Sequence, residues 1–245
     1  MTSPRKVPAI GTIRVFDDVA TLAAGAADLL CDRAGASSGI FVVALSGGST
    51  PRPVYECLAR PPWRDRVPWP RVHWVIGDER FVPVADPESN IGMIRRALLD
   101  HVPVPAANIH AIPTEGTTPD QAAAAHAAAL ERLRKQDGRL FDLNFLGMGD
   151  DGHTASLLPG EPVLQVRDRL VAPVPHGREN VRITLTYPAI DASTVVAFLV
   201  AGTGKRVMLD TVLSGRATVP AAAVRPMGET IWLVDRQAAG DWAVG

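Results

Sequence analysis

The chain has 245 residues, 47% of them hydrophobic, enough to bury one substantial core. Its 25 lysines and arginines against 26 aspartates and glutamates leave a formal charge of −1, without the basic surplus that nucleic-acid binding requires. No apolar run has the length of a membrane span and the first residues hold no signal-peptide core, so a soluble cytoplasmic protein is expected, with no nucleic-acid and no membrane partner.

The first ten or so residues carry no clear pattern and are expected to be dispensable. A strand is predicted over 12–16, then a helix over 17–35 and a strand over 40–45. The next helix, over 51–60, has Thr50 before Pro51 as a cap-then-proline start and Pro61-Pro62 as a stop. A strand over 72–76 and a helix over 89–101 follow. The alanine-rich helix over 119–136 has Thr118 as its cap, with Gln121 closing a capping box. Strands over 141–146, 182–186, 194–200 and 230–234 complete the pattern, with a helix over 204–213 before the last. Cys31 and Cys57 fall within helical patterns and are expected as packed thiols rather than a disulfide. Continuous apolar strands alternating with helices imply an α/β sandwich, a mostly parallel sheet covered on both faces.

In such a sheet, ligands gather at the carboxyl ends of the strands. There the chain is polar: "SGGSTP" follows 40–45, "GDER" follows 72–76, "GMGDDGHTAS" follows 141–146 and "AGTGK" follows 194–200. Gly47 and Gly48 can turn backbone N–H groups inward, and Ser46, Ser49 and Thr50 add hydroxyls, which suits a phosphate cradle. The same residues also suit an ordinary strand-to-helix turn. A nucleophile elbow would need glycine where Ala44 stands.

"GMGDDG" matches G-x-G-x-x-G, but Asp150 and Asp151 would face a pyrophosphate and Pro159 arrives before a crossover helix could form. "AGTGK" lacks the first P-loop glycine, since Leu199 stands there; Lys205 is then either a point charge for a phosphate or a solvated lysine. The six histidines are scattered singly, without metal-ligand spacing, so no metal is expected. His73, His110 and His126 suit core, edge or surface positions. For "DDGH" there remains proton transfer by His153, with Asp151 two residues away to fix its tautomer and Arg80 of "GDER" converging on the same cleft.

The ordered set "SGGSTP", "GDERFVP", "ESN", "GMGDDGHTASLLP", "RITLT" and "AGTGK" resembles the 6-phosphogluconolactonases over roughly residues 12–235. The resemblance implies a Rossmann-like fold and hydrolysis of 6-phosphoglucono-δ-lactone, a small sugar-phosphate lactone, with no cofactor. One domain over 1–245, with its core at 12–235, and a monomer are expected. Carried over by position, the resemblance makes His153 the general base, Asp151 its orienting carboxylate and Arg80 the partner of the developing oxyanion. Ser46, Gly47, Gly48, Ser49 and Thr50 correspond to the phosphate loop, Arg182 and Lys205 to cationic phosphate partners, and Asn90 to a polar contact. "SLLP" has leucine where phenylalanine is common, and Asp86 stands where histidine is frequent. Two rival readings are a glucosamine-6-phosphate deaminase, whose D-G-H typically continues as A-F-N-E-P rather than "TASLLP", and a non-catalytic sugar-phosphate sensor.

Overall fold

The structure, a computed structural model, describes residues 5–7 and 10–243. In chain order its elements are β1 (Arg5–Val7), β2 (Gly11–Phe16), α1 (Val19–Ala36), β3 (Phe41–Leu45), α2 (Arg52–Leu58), α3 (Trp63–Arg66) and β4 (Val72–Ile76). Then come β5 (Asp78–Arg80), α4 (Asn90–Ala97), β6 (Ile109–His110), α5 (Pro119–Leu133), β7 (Leu143–Gly147) and β8 (Val171–Val174). The chain closes with β9 (Arg182–Leu185), α6 (Tyr187–Asp191), β10 (Val195–Val200), α7 (Arg206–Leu213), β11 (Glu229–Asp235) and α8 (Arg236–Ala239).

Eight strands form the main sheet in the order β1-β2-β11-β10-β7-β3-β4-β6. Only β1 runs antiparallel to its neighbour; the other seven are mutually parallel. Strand β10 shows why its sequence is continuously apolar. Val195, Ala197 and Leu199 pack with residues of α1, α2 and α4 on one face, whereas Val196, Phe198 and Val200 pack with α5 and α7 residues on the other. Phe198 stacks on Trp232 of β11 with ring centroids 4.1 Å apart. The α/β sandwich with a mostly parallel sheet is therefore the observed fold.

The structure corrects five local expectations. The strand predicted over 182–186 does not enter the parallel sheet: β9 lies between β5 and β8 in a separate three-stranded antiparallel sheet. Thr50 does not cap α2, because Pro51 already has helical backbone angles at the cap position and Thr50 falls one residue outside it. The helix predicted over 89–101 ends at Ala97, followed by a 3-10 turn over Leu99–His101. The helix predicted from 204 begins at Arg206, after a 3-10 turn over Thr203–Lys205. Among the first ten residues, Arg5–Val7 add an edge strand and the Ile10 carbonyl accepts from the Trp232 indole at 2.9 Å, so that stretch is not all dispensable; Met1–Pro4 and Pro8–Ala9 lie outside the described residues.

The expectations for the α5 cap, the two cysteines and three of the histidines hold. Thr118 and Gln121 form the reciprocal capping box on α5, and Cys31 and Cys57 are free thiols. His73 and His110 stack at the β4–β6 edge and His126 is buried with Nε2 3.0 Å from the Ile76 carbonyl. Among the described residues no helix is long and apolar enough to cross a membrane.

Candidate active site

The loops after β3, β7 and β10, with β5 beyond β4, surround a cleft of about 210 Å³ at the carboxyl edge of the parallel sheet. Ser46, Gly47, Gly48, Ser49, Thr50, Arg80, Asn90, His153, Arg182 and Lys205 all line it. Asp151 alone of the predicted residues stands outside the lining, against His153.

After β7 the chain makes no crossover helix; it turns through 148–157 and returns the His153 ring to the cleft. Asp151 Oδ1 lies 2.5 Å from His153 Nδ1 and also accepts from the His153 backbone N–H at 3.1 Å. A carboxylate facing Nδ1 assigns the proton to that nitrogen and leaves Nε2 as the basic one. Burial would raise the Asp151 carboxyl, but the hydrogen bonds from His153 and the charges of His153 and Arg178 outweigh it and bring it down to about 2. Gly149 makes room for the pair: a Cβ there would sit 2.0 Å from His153 Nδ1 and 2.6 Å from Asp151 Oδ1. Ala155, just beyond, has a left-handed φ of 48° and lines the cleft, a strained backbone at the site.

The small antiparallel sheet delivers the guanidinium groups. Its register sets Arg80 of β5 directly opposite Arg182 of β9. Like charges directly opposed on neighbouring strands are destabilising, so the pair favours an anion between or beside them. Burial and the nearby Arg80 charge hold the Arg182 guanidinium below its usual range. Arg80 Nη1 donates to Asn90 Oδ1 at 2.7 Å and to the Glu88 carbonyl at 2.9 Å, while Arg182 Nε donates to the Gly177 carbonyl at 2.8 Å.

Asn90 is fixed from beneath. Its Nδ2 donates to the Asp78 carbonyl at 2.7 Å, and its backbone N–H donates to Glu79 Oε1 at 2.7 Å. The buried Glu79 carboxylate also accepts from the N–H groups of Arg80 and Ile91 and from the Ser89 hydroxyl, which ties β5 to the start of α4. Burial pushes the Glu79 carboxyl up against those hydrogen bonds. Gly47 is required by the same contact, since a Cβ on it would lie 1.8 Å from Asn90 Oδ1. Asp78, in the lining and 5% exposed, accepts from Ser156 Oγ at 2.7 Å.

Two cleft atoms have the character of ligand contacts. Ser46 Oγ and Arg80 Nε are buried and have no hydrogen-bond partner among the described residues. Lys205 enters from the turn before α7, and its Nζ lies 2.6 Å from Asp150 Oδ1. Among the described residues no group of three or more histidine, cysteine, aspartate or glutamate side chains could hold a metal ion. The geometry offers a base, cations and a hydroxyl-lined, glycine-rich loop, a combination suited to proton transfer on a small anionic substrate.

Sequence reasoning missed Asp78, Glu79, Gly149 and Arg178. Asp78 and Glu79 stood inside the quoted "GDER" and could have been weighed with Arg80, and Gly149 stood inside the quoted "GMGDDG"; Arg178 had no local signal.

Known proteins resemble the chain in both sequence and fold. The family model described as glucosamine-6-phosphate isomerases/6-phosphogluconolactonase matches residues 17–232. A 6-phosphogluconolactonase from a Nostoc species is 42% identical over 242 residues, covering 95% of this chain and 99% of that protein. The crystal structure of 6-phosphogluconolactonase from Thermotoga maritima superposes with a TM-score of 0.78 at 30% identity, covering 91% of this chain and 98% of that one. A monomeric glucosamine-6-phosphate deaminase shares the fold, with a TM-score of 0.80 at 19% identity over 93% of this chain and 98% of its own. The chain belongs to the glucosamine-6-phosphate isomerase/6-phosphogluconolactonase family.

Proposed function

We propose that the protein hydrolyses 6-phospho-D-glucono-δ-lactone to 6-phospho-D-gluconate, the lactone-opening step of the oxidative pentose phosphate pathway. The observation that carries this reading is the His153–Asp151 pair lining one cleft with the opposed Arg80 and Arg182. In the proposed reaction His153 Nε2 takes a proton from water as its oxygen bonds to the lactone carbonyl carbon. Arg80 stabilises the oxyanion that forms. Collapse breaks the bond to the ring oxygen, which takes the proton back from His153 and becomes a hydroxyl; the new carboxylic acid then ionises to solvent. Atoms and charges balance without a covalent enzyme intermediate.

Arg182, Lys205 and the loop of Ser46, Gly47, Gly48, Ser49 and Thr50 would grip the phosphate, with Asn90 holding Arg80 in place. Binding energy at that remote group positions the carbonyl for attack. No cofactor enters the scheme, and a cytoplasmic monomer, one domain over 1–245 with its core at 12–235, is the working unit we propose. Against deamination, the segment 154–158 after Asp151-Gly152-His153 brings no carboxylate to the cleft; Ser156 donates its hydroxyl to Asp78 instead.

The test is acid release from freshly generated 6-phosphogluconolactone, compared with spontaneous hydrolysis. Wild type is expected well above background and His153→Ala close to it. Wild type at background would overturn the lactonase reading, and a fully active His153→Ala would remove His153 as the base.

A further inference from the structure

We propose that Arg178 is a positioning residue that, by gripping the far side of the Asp151 carboxylate, holds it against His153 and opposes protonation of the imidazole. The inference rests on the reading of His153 as the base. Asp151 divides its two oxygens: Oδ1 faces His153, while Oδ2 accepts from Arg178 Nη2 at 2.7 Å. The same Nη2 stands 3.4 Å from His153 Nδ1. With Nδ1 protonated toward Asp151, that approach is not a hydrogen bond; it is a positive charge beside the nitrogen that shares the charge of an imidazolium.

The backbone is committed to this placement. Arg178 has a left-handed φ of 69°, a region that non-glycine residues with long side chains rarely occupy. It sits in the turn between β8 and β9, where its N–H donates to the His176 carbonyl at 2.8 Å. The preceding residue, Gly177, lends its carbonyl to Arg182 Nε, so one turn anchors a cleft arginine and presents Arg178 to the His–Asp pair. The charged groups around the ring are Asp150 and Asp151 on its own loop, Asp78 and Arg80 from β5, Arg182 from β9, Lys205 ahead of α7, and Arg178 itself. Asp150 is engaged by Lys205 and Asp78 by Ser156, which leaves Asp151 as the carboxylate on the ring and Arg178 as the cation closing its other side.

Two consequences follow. Without Arg178 the carboxylate gains freedom to rotate, so turnover on the alkaline plateau falls. Without its charge an imidazolium is less opposed, so the acid limb of the kcat–pH profile moves to higher pH. Because the Arg178 side chain is 54% exposed, the charge effect is screened by salt.

The experiment compares wild type, Arg178→Met and Arg178→Lys by kcat and KM against pH at low and high ionic strength, with NMR titration of the His153 ring as a readout independent of turnover. For Arg178→Met we expect an acid limb and a ring titration about half a pH unit higher at low salt, converging with wild type near 1 M salt. Its plateau kcat falls roughly three- to tenfold with KM unchanged within about twofold. Arg178→Lys restores the acid limb but not the full plateau, since an ammonium cannot reproduce the fixed guanidinium contact. An unmoved ring titration in Arg178→Met overturns the proposal, as does an equal loss of kcat at every pH. His153→Ala, measured alongside, reports separately on the base assignment.

Discussion

Replacing Gly149 by alanine tests the site where its geometry is tightest. The added Cβ would stand 2.0 Å from His153 Nδ1, 2.2 Å from Cε1 and 2.6 Å from Asp151 Oδ1, whereas ordinary contact begins at 3.4 Å. The ring must therefore retreat by roughly 1.4 Å, and it cannot do so as a unit with Asp151, because the same methyl presses on the carboxylate. A displacement of about 1 Å at a reacting group costs on the order of a hundredfold in rate, or about 3 kcal/mol of activation free energy. The backbone should tolerate the change: Gly149 has no left-handed φ, and its bonds to the His153 carbonyl and from the Gly152 N–H need no special conformation. The phosphate grip proposed above uses other loops. Gly149→Ala is thus expected to lower kcat on fresh lactone about a hundredfold, with KM within about threefold of wild type and an unchanged circular dichroism spectrum. A kcat within threefold of wild type would refute the argument, because the ring proposed as the base could then not occupy the place that Gly149 leaves for it.

Lys205→Ala should raise KM about tenfold or more and leave kcat nearly intact, as expected for loss of a charged contact to a remote group. Asp150→Asn, which frees Lys205 from its ion pair, should lower KM by up to about fivefold, since an exposed pair is worth at most ~1 kcal/mol. A fall in kcat for Lys205→Ala without a change in KM would move the lysine from binding to chemistry. Folding stability should drop with acid above the carboxylate range. Burial brings His126 down to about 4, so the unfolded chain binds more protons between the ordinary histidine range near 6.5 and pH 4, and the stability that neutral His126 contributes is full above 6.5 and lost across that window. Denaturant unfolding at pH 7 and pH 4.5 should show a gap that shrinks in His126→Gln; an unchanged gap would place the proton uptake elsewhere.

The order of strands and helices was written locally because a strand such as 195–200, apolar at every position, is stable only between two covered faces. That constraint yields a parallel sheet, and a parallel sheet collects its following loops at one edge, so "SGGSTP", "GDER", "GMGDDGHTAS" and "AGTGK" were legible as one cleft before any coordinates. The His153–Asp151 pair was legible too, because two residues of one tight loop meet without help from the rest of the chain. What lay beyond the sequence depended on partners far apart in it. No local pattern says that Arg80 pairs with Arg182 about a hundred residues later in a separate antiparallel sheet, since strand pairing is a property of two segments and the hydrophobic pattern of each is satisfied in either sheet. Thr50 and Pro51 looked like a helix start, but only the packed turn decided that the proline would occupy the cap and turn the threonine toward the cleft. Gly149 has an ordinary backbone conformation, so its necessity arises only once the His153 ring is in place beside it, and Arg178 is an unremarkable exposed arginine until the β8–β9 turn carries it to Asp151. Local chemistry determined which groups were available; tertiary packing decided which of them touch.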